Sequence, residues 1–421
     1  MTGYTFGGFF APFLPPKTSQ TRSEDLHKDF DAYIPIASKV SKSGNILNNT
    51  FFVNYSLGAN TNRDIWVYNF SQDILLLNIE TFVDTYNEQL YKWNNERKQD
   101  DTIDSFVIYD DRKIKWSSRL KECLSSNIRA ELSKDKIREA LYRPFTKEYL
   151  YFDKVLIHRR GQLPLIFPSL QSQNENLAIC ATGVGAERPF ATLVSKVIPD
   201  LNFFGPGTVP QWFPFYIYDA EGNNRQENIT DWALEQFQTH YQDPKITKWD
   251  IFHYTYALLH HPHYRQRYAA NLKRELPRIP FAPEFHPFAI SGKRLTEIHI
   301  NYEQQPEYRL KHIENKDLPI DWRVEKMRLS KDKTQIKYND FLTLAGIPPE
   351  TFEYKLGNRS ALDWIIDQYQ VSTDKRSGIT NDPNRLDDEE YIVRLIKQVI
   401  TVSLETVKIV KGLSDLGIPK N

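Results

Sequence analysis

The sequence predicts an α+β fold: a mixed strand-and-helix unit, then a helical unit, then a small strand-plus-helix tail. Three observations predict it. A length of 421 residues exceeds one ordinary domain. Up to about residue 225, short alternating apolar runs are mixed with helical ones, whereas from Thr230 the apolar period is helical. After Pro306 three short alternating stretches precede two further helices.

Residues 1–49 carry Pro12, Pro15, Pro16 and Pro35 with little periodicity and read as an extended arm. In the mixed unit, 50–225, "NTFFVNYSLG" (49–58) predicts a strand. "QDILLLNIETFVDTYNEQLYKWNNERK" (72–98) predicts a helix with Ser71 as its N-cap. "DSFVIYD" (104–110) and "KEYLYFDKVLI" (147–157) predict strands flanking a helix over about 118–141. "PFYIYD" predicts another strand, turning at Gly222-Asn223-Asn224. The helical unit, 226–305, holds "TDWALEQFQTHY", "TKWDIFHYTYALLHHPHYRQRYAANLKREL", broken at Pro262, and "SGKRLTEIHINYEQ". In the tail, 306–421, "WRVEKMRLS", "TQIKYND" and "TFEYKLG" alternate, and helices start near Ser360 and near Asp387.

Fifty-four basic and 54 acidic residues cancel, which argues against a histone-like coat on nucleic acid but leaves room for local patches. Only Cys123 and Cys180 occur, with no CxxC, so neither a disulfide framework nor a cysteine zinc site is expected, and the chain reads as cytoplasmic. The start "MTGYTFGGFFAPFLPP" lacks a signal peptide's basic and apolar regions, and no run of about 18 apolar residues appears.

Catalytic motifs are missing one by one. "NLAICATGVGAERPF" (176–190) has Gly183 and Gly185, but Arg188 stands where a dinucleotide loop needs its third glycine, and no Gly-Lys-Ser/Thr follows. It reads as a hairpin carrying an arginine. No Asn/Asp-Pro-Pro-aromatic loop of an amino-methyltransferase exists, since the Pro-Pro pairs precede Lys17 and Glu350. Pro199-Asp200 and Glu353-Tyr354-Lys355 have the letters of a magnesium nuclease but lie far apart in the chain. His253, His260, His261 and His263 lack companion ligands and are interrupted by Pro262, so structural or capping roles are expected and no metal site is assigned. No GxSxG elbow is present.

What remains is basic and aromatic together. From 141 to 199 there are seven lysines and arginines against four acidic residues, and from 259 to 274 four basic residues and no acidic one. Such density neutralises phosphates, and Arg, Asn or Gln beside a turn reach base edges.

"SLGANTNRD" (56–64), "LYRPFTKEYLYFDKVLIHR" (141–159), "WFPFYIYD" (212–219) and "FHYTYALLHHPHYRQRYAANLKRELPRIPF" (252–281) resemble, in that order, the C-terminal specificity region of single-chain type ISP restriction-modification enzymes. The similarity runs from about Asn49 to Gln370. It implies a target recognition domain that grips double-stranded DNA for an adenine methyltransferase and a helicase-nuclease, in cis or on a partner chain, in phage defence. The arm would then follow a methyltransferase-like region. With no catalytic residue in this chain, S-adenosylmethionine, ATP and Mg would belong to the rest of the enzyme. The candidate DNA contacts are extrapolated from charge and turn placement: Arg63, Arg143, Arg159, Arg160, Gln162, Arg188, Lys196, Arg265 and Arg267. Arg159, Arg160 and Arg188 are expected on one DNA-facing surface, unless they pair with Asp153 or Glu187. The alternatives are a protein-interaction scaffold docking a partner through its helical half, and a cryptic hydrolase.

Overall fold

The computed structural model describes residues 26–42 and 49–418. Two four-stranded sheets build the mixed unit. The central one runs in the order Ser56–Leu57, Gln211–Pro214, Ala178–Ala181, Thr192–Ser195, all antiparallel. The other runs Tyr68–Asn69, Thr146–Tyr151, Ile137–Arg143, Ile198–Pro199, with a parallel last pair.

The central sheet explains the long apolar runs in its strands, because both of its faces are covered. Side chains alternate across a strand, so Ala178, Cys180, Leu193 and Trp212 enter one core, shared with the second sheet and most of the tail. Ile179, Ala181, Val194 and Phe213 enter the other, shared with the helical unit. Cys180 lies opposite both Leu193 and Trp212, and Ile179 opposite both Val194 and Phe213, so the register keeps each set on its own face.

In the helical unit Thr230 caps Asp231–Tyr241, and Thr247 forms a capping box with Asp250 at the start of Lys248–His260. His261 ends that helix and its Nδ1 accepts from the Tyr264 N–H, starting Pro262–Arg267 with proline at the first position. The helix Phe285–Ile300 crosses Lys248–His260 at Gly292, where a Cβ would sit 1.8 Å from the His253 carbonyl oxygen. Hydrogen there is what lets the two backbones touch.

Ser71 caps Gln72–Glu96 as expected, by accepting from the Ile74 N–H. Other expectations change. The strand expected at 104–110 is instead the short helix Ile103–Phe106, because Thr102 and Ser105 form a capping box there. The helix expected to reach 141 stops at Ser125, since Asn127 takes φ 54°, and the chain then enters the strand Ile137–Arg143. The strand at 147–157 ends at Tyr151, where Asp153 turns the chain by accepting from the Val155 and Leu156 N–H groups. Of 49–58 only Ser56–Leu57 enters a sheet, while Phe51 and Phe52 pack on Phe237 and Phe213.

Of the arm, residues 1–25 and 43–48 lie outside the described residues. Its described part packs on the helical unit: Ile34–Pro35 pairs with Arg278–Ile279, and Asp29 meets Arg267. The tail adds a third antiparallel sheet, in the order Lys311–Glu314, Leu342–Ala345, Gln335–Lys337, Arg328–Leu329, and the helices Ala361–Gln368 and Tyr391–Ser414. It is packed into the whole. His299 of the helical unit stacks on Tyr354 at 5.4 Å and bonds Thr406 through Nε2 at 2.9 Å.

Candidate nucleic-acid interface

The turn after the second sheet carries Arg159, Arg160 and Gln162. Arg159 and Asn60 exchange backbone hydrogen bonds at 2.9 and 3.0 Å, and the Gln162 N–H donates to Ser56 Oγ at 2.9 Å, so the turn is fastened to the edge of the central sheet. Ala59 N–H donates to the Pro199 carbonyl and Leu201 N–H to that of Ala59, which ties the same edge to the loop 199–210. At its far end that loop receives the hairpin 182–191: Gly183 N–H donates to Thr208 O at 3.0 Å. A Cβ on Gly183 would lie 2.0 Å from Val209 O, and Gly185 takes φ +79°. The two glycines therefore serve close approach and a turn, as a hairpin requires. Arg188 leans on Gly205 of the same loop, 2.9 Å from the site of its missing Cβ.

Arg159 is exposed, while Arg160, Gln162, Arg188 and Lys196 are half-buried. Among the described residues neither Asp153 nor Glu187 pairs with these arginines; Asp153 is held by Lys136 at 2.8 Å. Arg160 lies over the Phe152 ring at 5.6 Å, and burial lowers its affinity for its proton. Lys196 sits in the turn between Thr192–Ser195 and Ile198–Pro199.

Four of the expected contacts occupy other settings. Arg63 is wholly buried: its guanidinium donates to Lys115 O, Leu156 O and Ser117 Oγ, and burial lowers its pKa to about 10. An arginine so enclosed braces the turn from inside and has no face left for a ligand. Arg143 is likewise turned inward, on Asp200 Oδ1 and Tyr142 O at 2.6 Å each. Arg267 is paired with Asp29 at 2.7 Å, which ties the arm down. Arg265 is half-buried: its Nε donates to Leu259 O at 2.5 Å, its guanidinium lies 5.7 Å from the Phe190 ring, and burial lowers its pKa to about 10. It faces, with Arg188, a cleft between the hairpin and the helices Pro262–Arg267 and Ala269–Arg274.

Glu148 is enclosed, with one side-chain hydrogen bond, from Asn381 Nδ2 at 3.0 Å. Burial pushes its carboxyl up to about 8. Sequence reasoning passed over Asn60, Asn62, Asn202 and Lys115, which line a second, polar cleft beside the Arg159 turn. Their signal was present as two asparagines in "SLGANTNRD", a residue type that reads base edges. Among the described residues no group of three or more His, Cys, Asp or Glu is placed to hold a metal, and no helix is long and apolar enough to cross a membrane. His253 and His261 have their pKa values lowered to about 4, chiefly by burial.

A sequence model of the Type ISP C-terminal specificity domain matches residues 50–396. Three solved structures share the fold. A nuclease-deletion mutant of the Type ISP restriction-modification enzyme LlaGI, in complex with a DNA substrate mimic, is 33 % identical with a TM-score of 0.82, over 96 % of this chain and 36 % of that one. The ATP-dependent Type ISP enzyme LlaBIII bound to DNA is 31 % identical with a TM-score of 0.81, over 94 % of this chain and 25 % of that one. DrdV in its DNA complex is 33 % identical with a TM-score of 0.79, over 95 % of this chain and 40 % of that one. The chain thus spans 25 to 40 % of the length of these relatives. No curated protein matches it.

Proposed function

Because the chain belongs to the family of Type ISP C-terminal specificity domains, we propose that it recognises a target sequence in double-stranded DNA for a restriction-modification enzyme. One observation carries this reading: over 94 to 96 % of its length the chain has the fold of three enzymes solved with DNA. The duplex would lie on the loop cluster around 199–210, with Arg159, Arg160, Gln162, Arg188 and Lys196 as its contacts. Turn-borne arginines reach into a groove while a rigid sheet holds them in register. Arg63 and Arg143 support those loops from below, and Arg267 fastens the arm.

Adenine methylation, ATP hydrolysis and DNA cleavage would reside in other regions, in cis or on a partner chain, together with S-adenosylmethionine, ATP and Mg, in the cytoplasm. Titration of a labelled duplex at two salt concentrations tests the reading. Each phosphate neutralised contributes about −0.9 to the slope of log K against log salt, so several contacts give a steep loss of affinity between about 50 and 200 mM. A flat response would overturn the proposal and favour a protein partner docked on the helical half.

A further inference from the structure

The cleft between the hairpin 182–191 and the helices Pro262–Arg267 and Ala269–Arg274 has a volume of about 580 Å³. That lies inside the roughly 300–1,000 Å³ range of small-ligand sites. Its mouth is fixed, because the Gly185 N–H donates to Lys273 O at 2.8 Å. Three cations, Arg188, Arg265 and Lys273, line it against a single acid, Glu187. None of the three is ion-paired among the described residues. Phe190, Leu272 and Val410 give it apolar walls.

One lining group is left without its natural partner. His260 is 2 % exposed, and its Nδ1 lies 2.9 Å from the Tyr256 carbonyl. A carbonyl only accepts, so Nδ1 carries the proton and Nε2 presents a lone pair. That Nε2 is buried with no hydrogen-bond partner. A buried acceptor left unmet is unfavourable, so a ligand that brings a donor would satisfy it.

Three demands therefore coincide: an anion for the cations, a flat apolar body for the walls, and an N–H for His260. We propose that this cleft binds one unpaired nucleotide, its phosphate on Arg188, Arg265 and Lys273, its base against Phe190 and Leu272, and a base N–H donating to His260 Nε2. The paired glycines take no part as a phosphate loop, since the Gly183 and Gly185 N–H groups are both occupied by backbone carbonyls. The nucleotide is either free in solution or displaced from a DNA strand, and duplex binding is not a premise of the site.

Calorimetric titration of the full chain with the four deoxynucleoside monophosphates, the matching deoxynucleosides and inorganic phosphate tests it without any duplex present. At least one monophosphate is expected to bind about tenfold or more tighter than either its nucleoside or phosphate alone, a gap of about 1.4 kcal/mol. Lys273→Gln, on the exposed rim, should weaken the monophosphate by about tenfold and leave the nucleoside unchanged. His260→Phe keeps the ring and should weaken both, with folding checked by melting. Monophosphates that bind no tighter than phosphate, or that ignore Lys273→Gln, would overturn the assignment. Competition then separates the sources. Better displacement by a duplex carrying one extrahelical nucleotide than by the same duplex without it places the nucleotide in a strand. Equal displacement places it free, and either result upholds the cleft as the site.

Discussion

Among the described residues Arg159, Arg160 and Arg188 stand on turns without an ion-paired carboxylate, unlike Arg143 and Arg267, which look equivalent in the sequence. The difference lies in neighbours that are remote along the chain, Asp200 and Asp29, and charge counting cannot see them. If one of the three reads a base, its change to alanine should cost roughly 1–3 kcal/mol on the target and relax one base pair. If it contacts phosphate, affinity for all duplexes should fall and the salt slope flatten by about one. Titration of each variant against target and scrambled duplexes checks this; parental binding by all three would remove the DNA from this surface. Glu148 gives a prediction in pH. Its folded carboxyl sits at about 8 against 4.5 for the free group, so the fold holds the proton more tightly than the unfolded chain does. Stability from that proton is full below about 4.5 and is lost as pH rises through about 8. Glu148→Gln should therefore stabilise by roughly a few kcal/mol at pH 9 and by little at pH 5, as read by denaturant melts at both. An equal effect at the two pH values would mean that the carboxyl does not titrate this way.

At the scale of elements, the helices with long apolar period were legible, and Ser71 caps as read from the sequence; the structure adds Thr230, Thr247 and Ser360 as caps of three more. Short strands were less legible. "DSFVIYD" has strand-like residues, yet Thr102 and Ser105 satisfy local N–H groups and the chain turns into a helix before any partner strand is reached. The helix after Ser118 was overextended because the period of the strand Ile137–Arg143 is hidden by polar positions that its own sheet buries, such as Arg138 and its bonds to Gln173 and Ser169. The candidate site was legible as a class of residues, arginines on turns, and not in how each is paired. Turn-borne arginines stood out, but which of them face outward depends on the loop 199–210, which no periodicity marks. Gly292 offers an element-scale test. An exposed helical glycine gains stability on change to alanine, whereas here the added Cβ would meet the His253 carbonyl at 1.8 Å. Gly292→Ala should destabilise by about 1–3 kcal/mol, the cost of overpacking, as measured by thermal melting. A raised melting temperature would contradict the crossing described.

For the whole molecule, the central sheet is the organising fact. Its two faces feed two cores, one shared with the second sheet and most of the tail and the other with the helical unit. The stretches 226–305 and 306–421, told apart in the sequence by their apolar period, are in contact across 305, where His299 stacks on Tyr354 and bonds Thr406. A rigid platform suits a domain that must present several loops in fixed register to a duplex, and the family and the fold both point to that task. The claim that the chain itself reads sequence is tested most directly by letting it choose. After several rounds of selection from a pool of random duplexes at moderate salt, the bound molecules should converge on one motif. Specific affinity for that motif should exceed non-specific affinity by about 10³-fold or more. Recovery of duplexes with no common sequence, bound no better than the starting pool, would contradict the account.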